Sequence, residues 1–504
     1  MTLALDKQKS ILNVSVSMGF KIVQMVMSLF VRRLLIQSCG NEVNGLNALY
    51  LSIIGFLAVA ELGVGSAITF CMYKPIVEDD HNKVSALYHL FQRMYLLVGG
   101  IILVAGLMLT PFIQYFAKDY AQVNVNMYLT FVLMLVSTVV TYFFGAKIAL
   151  FNAYKNNYIS TAITSGGILL QYVLQIVTLL TTHSFVWYLV CKIIAALVQL
   201  VVTELLAWKK YSYLLSNRQK IDSETKIELL RNIKATFMHG IGYLMVNAVD
   251  SLVISAFVGV VALGSFSNYT VIQTSMTDLL KLVFTSLTSV IGHMYVQKNR
   301  DTVIQYCEAF HLLNFTIGVL FYLGYYAIIN NLISILFGEA LIVAKSISMV
   351  IALNGFVQFM RQSALTFRNA TGTFYHDRWK PLFEGTTNLI LSVILVKRIG
   401  VTGVIVATIL TNLLICHIVE PYVLYKNAFG VSPKEYYLKN YGMIAVFVVA
   451  LLILDQCMRN CENPWKMLLV NGCISVAVSA LACMVVMLIN IKTCRFAVKI
   501  VKEK

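Results

Sequence analysis

The chain contains many apolar runs of about 20 residues, the length a helix needs to cross the hydrocarbon core of a bilayer. Met127–Leu150 and Trp465–Asn490 are examples. Barrel strands would instead alternate apolar and polar residues. Only 12% of the 504 residues are charged and 59% are hydrophobic, whereas soluble domains carry about 25% charged residues. The sequence therefore predicts an all-α integral membrane protein.

The alternation of apolar runs and short polar breaks predicts about 14 transmembrane helices. The first run, Ile11–Ile36, is longer than the apolar region of a signal peptide, so we expect it to be retained as a span. The longest break, Lys209–Lys234, is too short for a catalytic domain. The predicted spans are 11–36, 45–72, 94–116, 126–150, 159–181, 186–208, 235–258, 264–293, 308–336, 342–369, 382–397, 401–425, 441–457 and 466–490.

The basic residues predict the orientation of these spans. The net charge is +16, and most Lys and Arg residues fall on inside segments if the N-terminus is cytoplasmic, as the positive-inside rule requires. An even number of spans then places both termini in the cytoplasm. The basic residues at outer ends and loops are Arg32, Arg33, Lys118, Lys345, Lys397, Arg398, Arg459 and Lys466.

A weak internal repeat predicts two related halves. Polar residues share one spacing in the first and seventh spans, and Gly45 and Gly264 each stand five residues before a tyrosine at the start of a span. Such repeats are common in transporters. The polar sets are Asn13, Ser17, Lys21 and Gln24, and His239, Tyr243, Asn247 and Asp250.

This organisation predicts four segments. Residues 1–208 would form an N-terminal lobe of six spans and residues 209–234 a cytoplasmic linker. Residues 235–425 would form a second six-span lobe, followed by two appended spans and a basic tail at 426–504.

Charged side chains inside the predicted spans indicate where a site lies, because a charge at mid-bilayer costs about 2.5–3.5 kcal/mol on insertion scales. In the first span a polar stripe runs from Asn13 to Arg32 on one side of the helix. The alternative for Arg32 and Arg33 is that each extends to the outer interface. We predict a basic, substrate-binding surface that contains Lys21, Arg32, Lys281 and Arg361.

Intramembrane carboxylates are candidates for coupling to Na⁺ or H⁺. An acid in a span can equally be bound to a basic neighbour, and Asp278 and Lys281 have the i,i+3 spacing of a helical ion pair. Lys192 and Glu204 in the sixth span allow either an interfacial or a cavity position. The candidate coupling residues are Glu61, Asp250 and Asp278.

Motifs of soluble enzymes and of ATP-driven pumps are missing from the sequence. The ten cysteines lack metal or redox spacing, although Cys457 and Cys461 leave a disulfide open. A membrane polymerase or ligase would need a large outward loop, and each predicted outward loop is short. We therefore expect no enzyme activity, no metal and no cofactor.

Three stretches carry a resemblance to a known family. The first covers Gly45–Tyr50, Ala60–Ile68 and Tyr73–Pro75, the second Asn152–Ser160, and the third the blocks of 367–377, 388–392 and 400–404. Together they resemble bacterial polysaccharide flippases of the Wzx type. These transporters of O-antigen or capsule repeat units belong to the superfamily of the MATE exporters and the lipid II flippase.

The resemblance implies two six-helix lobes in a V arrangement, plus two C-terminal helices, around a cationic central cavity. The implied cargo is an undecaprenyl-pyrophosphate-linked oligosaccharide that moves from the inner to the outer leaflet of the bacterial plasma membrane, for O-antigen, capsule or exopolysaccharide synthesis. It also implies a role in that cavity for Lys21, Arg32, Lys281 and Arg361.

The alternative function is a MATE-like, Na⁺- or H⁺-coupled exporter of small cationic compounds, which would need an acidic cavity. The expected partners are the anionic lipid-linked oligosaccharide, membrane lipids, Na⁺ or H⁺, and a polysaccharide polymerase. We expect a monomer that binds no nucleic acid.

Overall fold

The computed structural model describes residues 2–61, 64–119, 123–217 and 248–502, and within these ranges every regular element is helical. This confirms the predicted all-α class. The helices are α1 (Thr2–Cys39), α2 (Asn41–Leu57), α3 (Val64–Val77), α4 (His81–Leu109), α5 (Met127–Ala153), α6 (Asn157–Thr182), α7 (Phe185–Leu215), α8 (Ala248–Phe257), α9 (Val260–Ser286), α10 (Thr288–Gln297), α11 (Arg300–Phe337), α12 (Lys345–Met360), α13 (Gln362–Ala370), α14 (Lys380–Thr411), α15 (His417–Leu424), α16 (Lys434–Cys457), α17 (Pro464–Ile489) and α18 (Ile491–Lys502).

Polar caps explain where several of these helices begin. A side-chain oxygen of Asp80 accepts from the Lys83 amide at 2.9 Å at the start of α4. Asn126 and Asn299 cap α5 and α11 in the same way. Such caps satisfy backbone donors that the helix itself leaves unpaired.

Nine helical segments of the described residues are long and apolar enough to cross a bilayer. Much of their apolar surface points away from the protein, as at Leu469 and Leu488, which are 67% and 66% exposed. Water would oppose that exposure, whereas lipid accommodates it, so the chain is a multi-pass membrane protein. The segments are His81–Phe116, Met127–Ala153, Asn157–Thr182, Phe185–Leu215, Val260–Gln297, Arg300–Phe337, Lys380–Phe429, Lys434–Cys457 and Pro464–Ile489.

The nine segments are fewer than the 14 predicted spans, partly because helix breaks divide or shorten some of the predicted spans. The number 14 stays a prediction. A 3₁₀ turn, Ala58–Glu61, interrupts the predicted span 45–72. The predicted span 342–369 changes helix at Arg361. The two spans predicted at 382–397 and 401–425 lie on either side of Ile399 and Gly400, where the backbone of α14 is not helical. Asn388 donates to the Thr408 hydroxyl across this break at 2.8 Å.

The chain divides into two compact units, Met1–Gly264 and Ser265–Lys504. In the first unit a buried core packs side chains of α3, α4, α5 and α7, including Phe91, Phe151 and Leu214. In the second unit a core around Phe367 and Tyr425 packs α11, α13 and α16. Most of the linker predicted at 209–234 lies outside the described residues, as do His239, Tyr243 and Asn247 of the proposed repeat.

The two glycines of the proposed repeat meet inside the first unit. A Cβ on Gly45 would lie 1.8 Å from the Val260 carbonyl oxygen and 2.9 Å from the Gly264 nitrogen. Asn41 and Asn44 at the start of α2 donate to the carbonyl oxygens of Val261 and Gly264 at 3.0 and 3.2 Å. The absent side chains therefore let the first turns of α2 and α9 touch backbone to backbone.

Replacing Gly45 by Ala should lower stability by roughly 1–3 kcal/mol, because backbone atoms cannot yield to the added methyl group. Gly55 on the same helix faces open space, so Gly55→Ala should be neutral or slightly stabilising. Thermal unfolding of both variants in detergent measures the difference. Equal midpoints would show that the close approach is not essential.

Candidate functional site

The polar stripe predicted on the first span faces neighbouring helices of the first unit. Gln24 Nε2 donates to the Ser165 carbonyl oxygen on α6 at 3.5 Å. One turn further along α1, Ser28 hydrogen-bonds Tyr172 of α6. Asn13 and Ser17 lie where the structure does not describe side chains, and Lys21 is exposed.

Arg32 continues this stripe and lies among aromatic hydroxyl groups. Its guanidinium, partly buried, interacts electrostatically with Tyr172 and with Tyr188 at the start of α7. The Gln175 amide donates to the Tyr188 carbonyl oxygen at 3.3 Å. We call this group the arginine patch and define it as Gln24, Ser28, Arg32, Tyr172, Gln175 and Tyr188.

A second basic side chain, that of Lys192, lies on the same helix as Tyr188 of the patch. Lys192 follows Tyr188 by one helical turn and therefore shares its face. Its ammonium lies 3.2 Å from the Met134 sulfur of α5, a weak acceptor. The partly buried position of Lys192 adds positive charge to this side of the first unit.

The structure places Lys281 and Asp278 together on α9. Their side chains are 3.8 Å apart and are 45% and 68% exposed. The ion pair that the i,i+3 spacing allowed is therefore formed. It contributes little to stability, because both side chains are solvated. Asp250 is partly buried in α8.

Arg361 lies at the junction of α12 and α13, where carboxylates surround it. Its Nη2 and Nε donate to the two oxygens of Glu420 at 2.5 and 3.1 Å. Its Nη1 donates to Glu384 at 3.3 Å and to Asn412 at 2.6 Å. Lys380 joins the same carboxylates, at 2.5 Å from Glu420 and 3.1 Å from Glu384.

This ion cluster, which we define as Arg361, Lys380, Glu384 and Glu420, balances two positive with two negative charges. The Glu420 side chain is only 1% exposed, and four of the five N–H donors of Arg361 are engaged. Arg361 therefore has little donor capacity left for a ligand. Glu384 and Glu420 lie within predicted spans, so the cost of an intramembrane charge is the sequence signal that identifies them.

Glu61 lies on the 3₁₀ turn between α2 and α3, and two tyrosines bind its carboxylate. The hydroxyl of Tyr95 on α4 donates to Oε1 at 2.9 Å, and that of Tyr142 on α5 donates to Oε2 at 2.7 Å. Sequence reasoning selected Glu61 but not these partners. A tyrosine among apolar residues gives no signal of its own.

Another acid of the first unit has a basic partner that sequence reasoning missed. Glu204 on α7 is 2.6 Å from Lys147 on α5, whose side chain is 5% exposed. The pair is only half-buried, since the Glu204 side chain is 36% exposed. None of the ten cysteines, all of which lie among the described residues, forms a disulfide, and this includes Cys457 and Cys461. The part of the chain that the structure describes holds no group of three or more potential metal ligands.

Comparisons with known proteins show what the fold resembles. No family model and no curated protein sequence matches the chain. Among solved structures, the lipid II flippase MurJ in an inward closed conformation matches with TM-score 0.66 and 14% identity, over 94% of this chain and 99% of MurJ.

Two drug transporters give similar matches. An inward-facing multidrug resistance MATE transporter of the MOP superfamily matches with TM-score 0.59 and 14% identity, over 86% of this chain and 98% of that one. The MATE transporter VcmN from Vibrio cholerae matches with TM-score 0.56 and 14% identity, over 86% and 99%. The chain therefore has the fold of MOP-superfamily flippases and transporters, and these neighbours are not enzymes.

Replacing Glu420 by Gln should lower stability by about 3–5 kcal/mol, because two buried cations would then share one carboxylate. Glu78→Gln is the matched control, since its partner Lys74 is 3.9 Å away and both side chains are well exposed. That change should cost about 1 kcal/mol or less. Thermal unfolding in detergent compares them, and equal stability would show that the ion cluster does not hold the second unit together.

Proposed function

We propose that the chain is a flippase for undecaprenyl-pyrophosphate-linked oligosaccharides. It would move these repeat units from the inner to the outer leaflet of the bacterial inner membrane, for synthesis of O-antigen, capsule or exopolysaccharide. The arginine patch is the observation that carries the proposal, and the fold shared with a lipid flippase supports it.

The chemistry of the patch suits a pyrophosphate attached to sugars. A guanidinium presents planar donors that match phosphate oxygens in two-point contacts. The hydroxyls of Tyr172 and Tyr188 and the amide of Gln24 can donate to sugar or phosphate oxygens. Gln175 is buried, and its amide is bound to the Tyr188 carbonyl oxygen, so it supports the patch from behind. We assign Arg32 as the main phosphate contact, with Lys192 on the same side of the unit.

Such a cargo needs a protein because its headgroup cannot cross hydrocarbon alone. Polar groups without hydrogen-bond partners cost several kcal/mol each in an apolar medium. A polar surface inside the helical bundle replaces the lost hydration, while the lipid tail stays in the bilayer. Lys21 and Lys281, both exposed, are available to anionic lipid headgroups.

The predicted orientation of the chain in the membrane supports transport of the cargo from the inner to the outer leaflet. Both termini are proposed to be cytoplasmic, from the distribution of Lys and Arg. An inside-negative potential then contributes about 2.3 kcal/mol per charge per 100 mV toward outward movement of an anionic headgroup. Arg361 is proposed to act with its carboxylate partners, mainly by holding the junction of α12 and α13.

A second candidate is a MATE-like exporter of small cationic compounds. The observation that favours it is Glu61, a carboxylate that accepts hydrogen bonds from two tyrosine hydroxyls and forms no ion pair within the described residues. Two MATE transporters also share the fold. The two functions differ in the charge of the ligand, so binding measurements separate them.

Arg32→Gln should weaken binding of undecaprenyl pyrophosphate by about 10- to 100-fold, because a charge-assisted hydrogen bond contributes roughly 1.5–3 kcal/mol. Equilibrium binding to the purified protein in nanodiscs measures the effect. Undecaprenol, which lacks the pyrophosphate, reports the affinity of the tail alone and should bind both forms equally.

Arg33→Gln is the control, since Arg33 is the adjacent residue and lies off the polar stripe. It should bind undecaprenyl pyrophosphate like the unaltered protein. Equal binding by Arg32→Gln would contradict the assignment of the patch. Saturable binding of ethidium, abolished by Glu61→Gln, would favour the cation exporter.

A further inference from the structure

The last helix, α18 (Ile491–Lys502), begins where the last apolar segment ends. Asn490 separates α17 from α18, and its backbone is not helical (φ −106°, ψ 38°). Leu488 and Ile489, directly before this break, are 66% and 72% exposed. Because these apolar side chains need lipid and the charged Lys492 follows within one turn, α18 starts at the boundary between hydrocarbon and headgroups.

Three basic side chains lie on one side of α18. Lys492, Arg495 and Lys499 are spaced by three and four residues, which places them within an arc of about 60° on a helix. All three residues are exposed. The segment 491–502 contains no Asp or Glu, so no acid of the same helix offsets this charge. We define Lys492, Arg495 and Lys499 as the basic face of α18.

A second side of α18 packs against the start of α11. The Thr493 hydroxyl donates to Oε2 of Glu308 at 3.3 Å, and Oε1 of the same carboxylate accepts from Lys439 of α16 at 2.7 Å. The Phe496 ring packs edge-on against Tyr306, with centroids 5.3 Å apart. These contacts fix the rotation of α18 about its own axis. At 100° per residue, they turn the basic face away from α11.

A third side of α18 is apolar and exposed. Ile491 and Val498 are seven residues apart, which places them on the same side of the helix, and they are 46% and 54% exposed. At 100° per residue this apolar strip borders the basic face. The helix therefore has one side on the protein, one apolar side and one basic side, as do helices that lie in the plane of the membrane interface.

We propose that α18 binds the phosphate groups of anionic phospholipids in the leaflet at this end of the last span, which the predicted orientation makes the cytoplasmic leaflet. The basic face contacts the phosphates, and Ile491 and Val498 contact the first carbons of the acyl chains. Each Lys or Arg close to an anionic membrane surface raises the affinity about 5-fold. The inference goes beyond the proposed function and does not depend on it, because these lipids form the bilayer and are not the cargo.

The apolar strip favours a lipid over a soluble anion. A soluble phosphate compound would meet the positive charge but would leave Ile491 and Val498 in water. A headgroup with its acyl chains covers the basic face and the apolar strip together. The short distance in sequence from Leu488 and Ile489, which are lipid-exposed, keeps the basic face at the depth of the headgroups.

Native mass spectrometry of the full chain in detergent, with phosphatidylglycerol added, measures the affinity for the first bound lipids. The triple variant K492Q/R495Q/K499Q should bind them roughly 100-fold more weakly than the unaltered protein. The control K74Q/K209Q/K210Q removes the same charge from exposed positions of the first unit and should stay within about 5-fold. An equal loss in both variants would show attraction to net charge alone and would overturn the proposal. Unchanged binding by the α18 variant would also overturn it and would leave the basic face to a partner protein.

The apolar strip gives a second arm that keeps every charge. Val498→Gln should weaken binding of phosphatidylglycerol by about 5-fold or more, because a polar side chain loses its contact with the acyl chains. Val296→Gln is the control, since Val296 lies at the end of α10 and is 83% exposed, and it should bind the lipid normally. Unchanged binding by Val498→Gln would show that the helix does not insert into the interface, and the proposal would fail.

Competition experiments identify the source of the phosphate group. Phosphatidylcholine, which has no net charge, should bind the unaltered protein and the α18 triple variant equally. Displacement of phosphatidylglycerol by inorganic phosphate, beyond that by chloride of equal ionic strength, would overturn the lipid assignment and indicate a site for a soluble anion. Displacement by equimolar undecaprenyl pyrophosphate would reassign the basic face to the cargo.

The two proposals of this article fail separately. Arg32→Gln should bind phosphatidylglycerol like the unaltered protein, because Arg32 lies on α1 of the first unit and α18 belongs to the second. Normal binding of undecaprenyl pyrophosphate by Arg32→Gln would reject the arginine patch and leave the lipid site intact. Loss of phosphatidylglycerol binding in Arg32→Gln would place the lipid at the arginine patch and overturn the assignment to α18.

Discussion

The cost of holding a charge in hydrocarbon is the constraint on which the rest of this structure depends. Lys147 is bound to Glu204, and Arg361 and Lys380 share Glu384 and Glu420. Arg368 is bound to Asp377 in the same manner. In each of these cases opposite charges of the same unit neutralise each other. Such pairs account for the stability of the unit more than for transport. The arginine patch and Glu61 differ, because hydroxyl and amide groups surround their charges.

Glu61 and the ion cluster both coincide with interruptions of regular helix. Glu61 lies on a 3₁₀ turn between α2 and α3, and Arg361 lies between α12 and α13. The ion cluster also includes Asn412 at a π-helical turn that follows α14. Interrupted helices expose backbone and side chains to a polar interior, which is why transporters place binding groups there.

The helical class and the polar face of α1 follow from the sequence, whereas the contacts between helices do not. Apolar run length predicts the all-helical membrane class, and helical spacing places Gln24, Ser28 and Arg32 on one face, as the structure confirms. Partners across helices depend on packing register, which a single sequence does not contain. Tyr95 and Tyr142 are 34 and 81 residues from Glu61. Apolar run length also did not reveal the 3₁₀ turn Ala58–Glu61 or the change of helix at Arg361.

Reconstituted transport tests the central claim most directly. The protein is placed in liposomes that carry a pyrophosphate-linked oligosaccharide with a fluorescent label on its sugar, and an impermeant quencher is added outside. The account predicts that protein-containing vesicles lose the fluorescence of both leaflets, whereas empty vesicles keep the inner-leaflet signal. Retention of the inner-leaflet signal, in vesicles that do move ethidium, would contradict it.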